Sequence, residues 1–119
     1  MPTLNEHVNQ YNHNKSLLSN TVFDINNTTY KDWVVTITFY NAVHLIEREL
    51  AKITTPYHSG SHTYREKAIL REKKLKTIAA KYQALYNQSI RARYECYKFS
   101  KKDVEGVMHI LDDIEKALT

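Results

Sequence analysis

The largely apolar stretch FYNAVHLIE carries Tyr40, His44 and Glu47 at i, i+4 and i+7. On a helix this spacing stacks them on one face, about a turn apart. A histidine in that setting has two roles open to it. It is either a core imidazole held by a hydrogen bond, or an acid–base group. In the second role Glu47 raises its pKa and Tyr40 offers a further donor or acceptor. Burying three polar groups together is costly unless each is satisfied, which counts toward a site.

Two further stretches carry cations beside aromatic rings. In SGSHTYRE, His62 and Arg65 fall in the first turn of a helix that Ser61 can cap. A cation is mildly unfavourable there, but free amides, His62 and Arg65 together suit a phosphate. An exposed arginine near a helix start is the alternative. In SIRARYECY, Arg91 and Arg93 flank Ala92, and residues two apart point to different sides of a helix. Only one of the two therefore faces a given site. Tyr86, Tyr94 and Tyr97 either stack on bases, as in single-strand binders, or serve as core residues with wet hydroxyls. His58 and His62 are four apart but straddle a loop, and no cysteine or carboxylate cluster completes a ligand set, so no metal site is expected. Cys96 has no sequence-evident base to activate it.

The bulk composition narrows the classes. At 119 residues the chain is one domain, residues 1–119, able to bury about 65% of its unfolded surface. Gly60 and Gly106 are the only glycines, too few for phosphate-cradling loops or for the tight turns of an all-β fold. No cofactor is implied. The N-terminus lacks a signal-peptide pattern, and the single cysteine cannot form an internal disulfide. The longest uncharged run, Trp33–Ile46, is too short to cross a bilayer. A cytoplasmic protein with no membrane partner is expected. The net charge of +4 conceals a strong asymmetry. Residues 61–102 carry 12 basic and 3 acidic side chains, residues 1–60 carry 4 and 5, and residues 103–119 carry 1 and 5. A centre of net +9 is either a solvated lysine-rich surface or the footprint of an anionic partner, with nucleic acid first.

Helices must position these groups. Leu4, Val8, Tyr11 and the Leu17–Leu18 pair predict a helix over 4–18. Asp32 is the expected N-cap of a second helix running to about Ile53, apolar on most sides and therefore central. Pro56 and Gly60 mark a loop. A long third helix is expected from Ser61 to about Tyr86, with its register wandering near Arg71–Lys74, and a shorter fourth around Ile90, Tyr94 and Tyr97. Ser100 and Asp103 resemble a helix-start signal, ahead of a stripe of Val104, Val107, Met108, Leu111, Ile114 and Leu118. The expected fold is all-α, an up-and-down bundle of four to five helices.

YKDWVVTITFYNAVHLIERELA, followed by HSGSHTYRE and YQALYNQSIRARY, resembles small prokaryotic proteins of the HEPN superfamily over roughly residues 30–95. The resemblance implies an all-helical bundle, usually a homodimer. Many members are metal-independent ribonucleases of toxin–antitoxin or defence systems, some paired with a nucleotidyltransferase-type antitoxin. Others are noncatalytic nucleotide- or RNA-binding modules. Catalytic members carry an arginine separated from the histidine by four to six intervening residues. His44 occupies that histidine's place, whereas Ile37, Thr38 and Phe39 stand where the arginine would be. The catalytic expectation is His44 as acid or base, Arg93 and Arg65 on the scissile phosphate, and Tyr40, Glu47 and Tyr94 in support. His62, Arg65 and Arg91 are the expected phosphate or RNA contacts. The alternative is a noncatalytic nucleotide-, RNA- or protein-binding module that has lost the motif.

Overall fold

The computed structural model describes residues 2–53 and 61–119. The described residues form six α-helices and one 3-10 turn, with no strand. The helices are α1 (Leu4–Leu18), α2 (Lys31–Ala51), α3 (His62–Arg71), the single turn α4 (Lys73–Lys76), α5 (Ala79–Tyr94) and α6 (Lys101–Ala117). The fold is an all-helical bundle. The expected loop at Pro56 and Gly60 lies outside the described residues, as does His58.

α2 is the central element, with α1, α5 and α6 packed against it. Its sequence dictates this: Val34, Val35, Phe39, Ala42, Val43, Leu45, Ile46 and Leu50 point to several sides and are all buried. Thr36 and Thr38 return their hydroxyls to the carbonyls of Asp32 and Val34, so neither brings an unsatisfied group inside. Asn41 is fully buried with neither amide atom hydrogen-bonded. The helix starts two residues before the expected position. Its N-cap is Tyr30, with no side-chain cap bond, and Asp32 sits in the first turn, where a carboxylate complements the helix dipole. The local cause is Thr28, whose hydroxyl accepts from the Tyr30 N–H and whose carbonyl accepts from Lys31 Nζ.

The expected long third helix is broken, and its boundary with the fourth is displaced. Ile69 and Leu75 are both buried, yet six residues along one helix separates them by roughly 240°. A straight helix would bury one and expose the other. Glu72 adopts extended backbone (ψ 118°), and the short turn α4 resets the register so that Leu75, Ile78, Tyr82 and Leu85 all reach the core. From Ala79 onward one continuous helix carries Tyr86, Arg93 and Tyr94.

α6 follows expectation closely. Ser100 and Asp103 form a reciprocal capping box at 3.1 and 2.9 Å. Val104, Val107, Leu111, Ile114 and Leu118 make one buried stripe. α1 packs broadly on α2 but contributes few buried side chains. Only His7 is fully buried, assisted by Tyr11 and Leu18 packed against the core and by the Tyr11 hydroxyl donating to Glu115.

Candidate functional site

α2, the start of α3 and the second half of α5 enclose an open cavity of about 400 Å³. Phe39, Tyr40 and Val43 line it from α2, Ser61, His62 and Arg65 from α3, and Tyr86, Ile90, Arg93 and Tyr94 from α5. Its volume lies in the range of small-molecule sites. Ser61 caps α3 by accepting from the Tyr64 N–H, and this sets His62 and Arg65 in the first turn, facing α5.

Arg93 is the cation of this cavity. Its Nε donates to the Ser89 carbonyl (3.3 Å), one terminal nitrogen to the Ser89 hydroxyl (3.1 Å) and the other to the Tyr40 hydroxyl (3.3 Å). Ser89, fully buried, is itself anchored by donating to the Tyr86 carbonyl at 2.7 Å. The guanidinium carbon lies 5.7 Å from the ring centres of both Phe39 and Tyr40 and 5.2 Å from that of Tyr94, within cation–π range. Among the described residues no carboxylate pairs with it. Three of the five N–H donors of an arginine are thus engaged, and two remain for a ligand.

Arg65 is used differently. Its Nε donates to Glu47 at 2.9 Å, and the two side chains are only 12% and 1% exposed. A terminal nitrogen also reaches the Tyr82 hydroxyl at 3.5 Å. Arg65 therefore brings α3 onto α2 with its charge balanced by Glu47. His62 joins the same cluster. Its Nδ1 is 2.8 Å from the Tyr82 hydroxyl, and its ring lies flat on Tyr86, with centroids 3.4 Å apart and planes within 5°. Burial lowers its pKa below 6.5, with Arg65 and Arg93 adding to the effect and Glu66 opposing it. This favours the neutral imidazole at pH 7. Burial likewise pushes the Tyr82 hydroxyl above 10.0, against the pull of Arg65, so Tyr82 stays a phenol.

His44 faces another way. Its Nδ1 meets Nδ1 of His7 at 3.0 Å across the α1–α2 contact, and it is not among the residues lining the cavity. Of the residues singled out by sequence, Tyr40, His62, Arg65, Tyr86, Arg93 and Tyr94 share the cavity. Glu47 underlies it through Arg65. Arg91 lies outside, its guanidinium 5.1 Å from the Tyr97 ring centre, in keeping with the opposed directions of residues two apart. Sequence reasoning missed Ser89, Tyr82 and His7. Ser89 was signalled by its i−4 spacing from Arg93, and His7 by lying between Leu4 and Tyr11 on the apolar stripe of α1. Tyr82 carries no such signal, because its role depends on a neighbouring helix.

The cavity can present flat rings to a planar group and a guanidinium to an anion. Among the described residues no three His, Cys, Asp or Glu side chains converge as a metal set, and no helix is long and apolar enough to cross a membrane. No protein-family model, curated protein or solved structure matches this chain.

Proposed function

We propose that the cavity binds single-stranded RNA, with bases stacked on its aromatic walls and a phosphate on Arg93. One observation carries this reading: a guanidinium held by Ser89 and Tyr40, ringed by Phe39, Tyr40 and Tyr94, and free of any carboxylate partner among the described residues. An arginine fixed in advance loses little freedom on meeting a phosphate. Tyr94 and Tyr40 are 70% and 40% exposed, a cost in water that stacking on a base recovers. The surrounding net charge of +9 over residues 61–102 draws a polyanion toward the site. The HEPN-like resemblance fits this reading, and with it belong a homodimer, a cytoplasmic location and an antitoxin partner of nucleotidyltransferase type.

Fluorescence anisotropy with a labelled oligouridine tests it. Wild type binds with an affinity that falls as salt rises, while Arg93→Ala and Tyr94→Ala bind more weakly. Absence of binding at low salt overturns the proposal.

A second reading, metal-independent cleavage of the bound RNA, is favoured by the neutral His62 imidazole in the same cavity as Arg65 and Arg93. A neutral imidazole can take a proton from a ribose 2′-hydroxyl while a guanidinium stabilises the charged phosphate. This reading moves the acid–base role from His44 to His62. Cleavage in EDTA that His62→Ala abolishes and His44→Ala preserves supports it. Intact RNA after incubation with wild type refutes it.

A further inference from the structure

Toward the start of α2 and the end of α5 a second cavity of about 290 Å³ opens, lined among others by Lys31, Asp32, Ala92, Tyr97, Lys98 and Phe99. Ala92 precedes Arg93 and Tyr94 directly in α5, so both cavities draw on the last turns of one helix. On α2 they are bounded by Asp32 and Tyr40, about 12 Å apart at 1.5 Å per residue. Trp33 lies in that interval, seven residues before Tyr40 and so on the same helix face, and is 56% exposed.

The second cavity has the same chemistry as the first. Tyr97 packs edge-on against Phe99 (4.8 Å between centroids) and carries the Arg91 guanidinium over its ring. Lys31 and Lys98 supply two cations and Asp32 one carboxylate; with Arg91 the balance is +2. An exposed tryptophan between two cation-bearing aromatic pockets is unfavourable against water and suits a chain of stacked bases.

We propose that the second cavity is a continuation subsite for the same single strand, in which Tyr97 stacks on a base and Lys31 and Lys98 contact phosphates beyond the one on Arg93. This rests on the RNA-binding reading of the first cavity. The 12 Å interval corresponds to roughly three to four phosphates of a stacked strand at 3.4 Å each. The ligand is therefore a short single-stranded segment and not a mononucleotide, with its register fixed by Arg93 at one end.

Anisotropy with labelled oligouridines of about two and about eight nucleotides, lengths chosen from that spacing, separates the two claims. The Lys31→Ala/Lys98→Ala variant binds the long oligomer on the order of tenfold more weakly, and its salt slope falls by about 1.4, as for two lost phosphate contacts on a single strand. Its affinity for the dinucleotide is unchanged. Tyr97→Ala weakens the long oligomer alone, whereas Arg93→Ala weakens both. Lys76→Ala/Lys81→Ala, which removes two exposed lysines elsewhere, leaves both affinities intact. If Lys31→Ala/Lys98→Ala binds the long oligomer like wild type while Arg93→Ala does not, the subsite is refuted and the first cavity stands. Equal losses at both lengths, or from both lysine pairs, reduce the effect to a diffuse positive field and also refute the subsite. If neither length binds wild type, the reading of the first cavity fails with it.

Discussion

The Glu47–Arg65 pair decides whether Arg65 belongs to the ligand or to the fold. Arg65→Ala removes the cation that faces Glu47 at 2.9 Å and leaves a carboxylate whose side chain is 1% exposed. Removing one partner of a buried ion pair costs about 3–5 kcal/mol. Arg65 is 12% exposed, so some water can enter in its place and the low end, about 3 kcal/mol, is expected. That is a large share of the roughly 5–15 kcal/mol that holds a domain folded. At roughly 3–5 °C per kcal/mol for a domain of this length, the melting temperature falls by about 10–15 °C. Thermal unfolding followed by circular dichroism at pH 7 reads this directly. The double variant Glu47→Gln/Arg65→Met no longer buries a charge and recovers most of the loss, with a coupling of about 2 kcal/mol in a double-mutant cycle. If Arg65→Ala melts within about 1 kcal/mol of wild type and loses RNA affinity as Arg93→Ala does, the reasoning is wrong. Arg65 would then be a ligand-facing cation.

Because burial depresses the His62 pKa below 6.5, the unfolded chain binds its proton first. The stability contributed by neutral His62 is therefore complete above pH 6.5 and is lost as pH falls through the lower folded value; denaturant titrations of His62→Gln show a flatter pH dependence below 6.5, and an unchanged slope contradicts this. Gly106 lies inside α6, and a Cβ there meets nothing within 4 Å; Gly106→Ala stabilises the protein by about 0.5–1 kcal/mol in chemical denaturation, and a loss of stability refutes the open space. Asn41 buries an amide without a hydrogen-bond partner; Asn41→Leu, similar in shape, raises stability by about 1–2 kcal/mol, whereas a marked loss shows that the amide is satisfied.

The helical elements were legible where one element could bury its own stripe. α6 is the clearest case: the capping box and the 104, 107, 111, 114, 118 spacing fix its ends and its face without reference to any neighbour. α2 announced its central position in the same way, through apolar residues on several sides. The break at Glu72 was visible only as a wandering register, because its cause is the joint burial of Ile69 and Leu75 against other helices. The site followed the same division. Arg93 and the tyrosines of α5 were legible as cations beside rings. The pairing of His44 with His7 joins residues 37 apart in sequence, and the Arg65–Glu47 pair joins residues 18 apart. No periodicity within one helix encodes such contacts. Glu47 stood one turn from His44 in sequence, and the fold set Arg65 against it.

The central claim is that Arg93 is a preorganised phosphate ligand in an aromatic cleft. Its most direct test is the dissociation constant of an oligouridine for wild type, Arg93→Ala and Arg93→Lys at one fixed salt concentration. Arg93 is only partly buried and makes no ion pair among the described residues, its hydrogen bonds going to Ser89 and Tyr40, so both variants remain folded. Losing charged hydrogen bonds to a phosphate is worth about 1.5–3 kcal/mol, so Arg93→Ala weakens binding by roughly 10- to 150-fold. Arg93→Lys restores only part of this, since an ammonium keeps the charge but not the planar fork held by Ser89 and Tyr40. Equal affinity of wild type and Arg93→Ala would contradict the account.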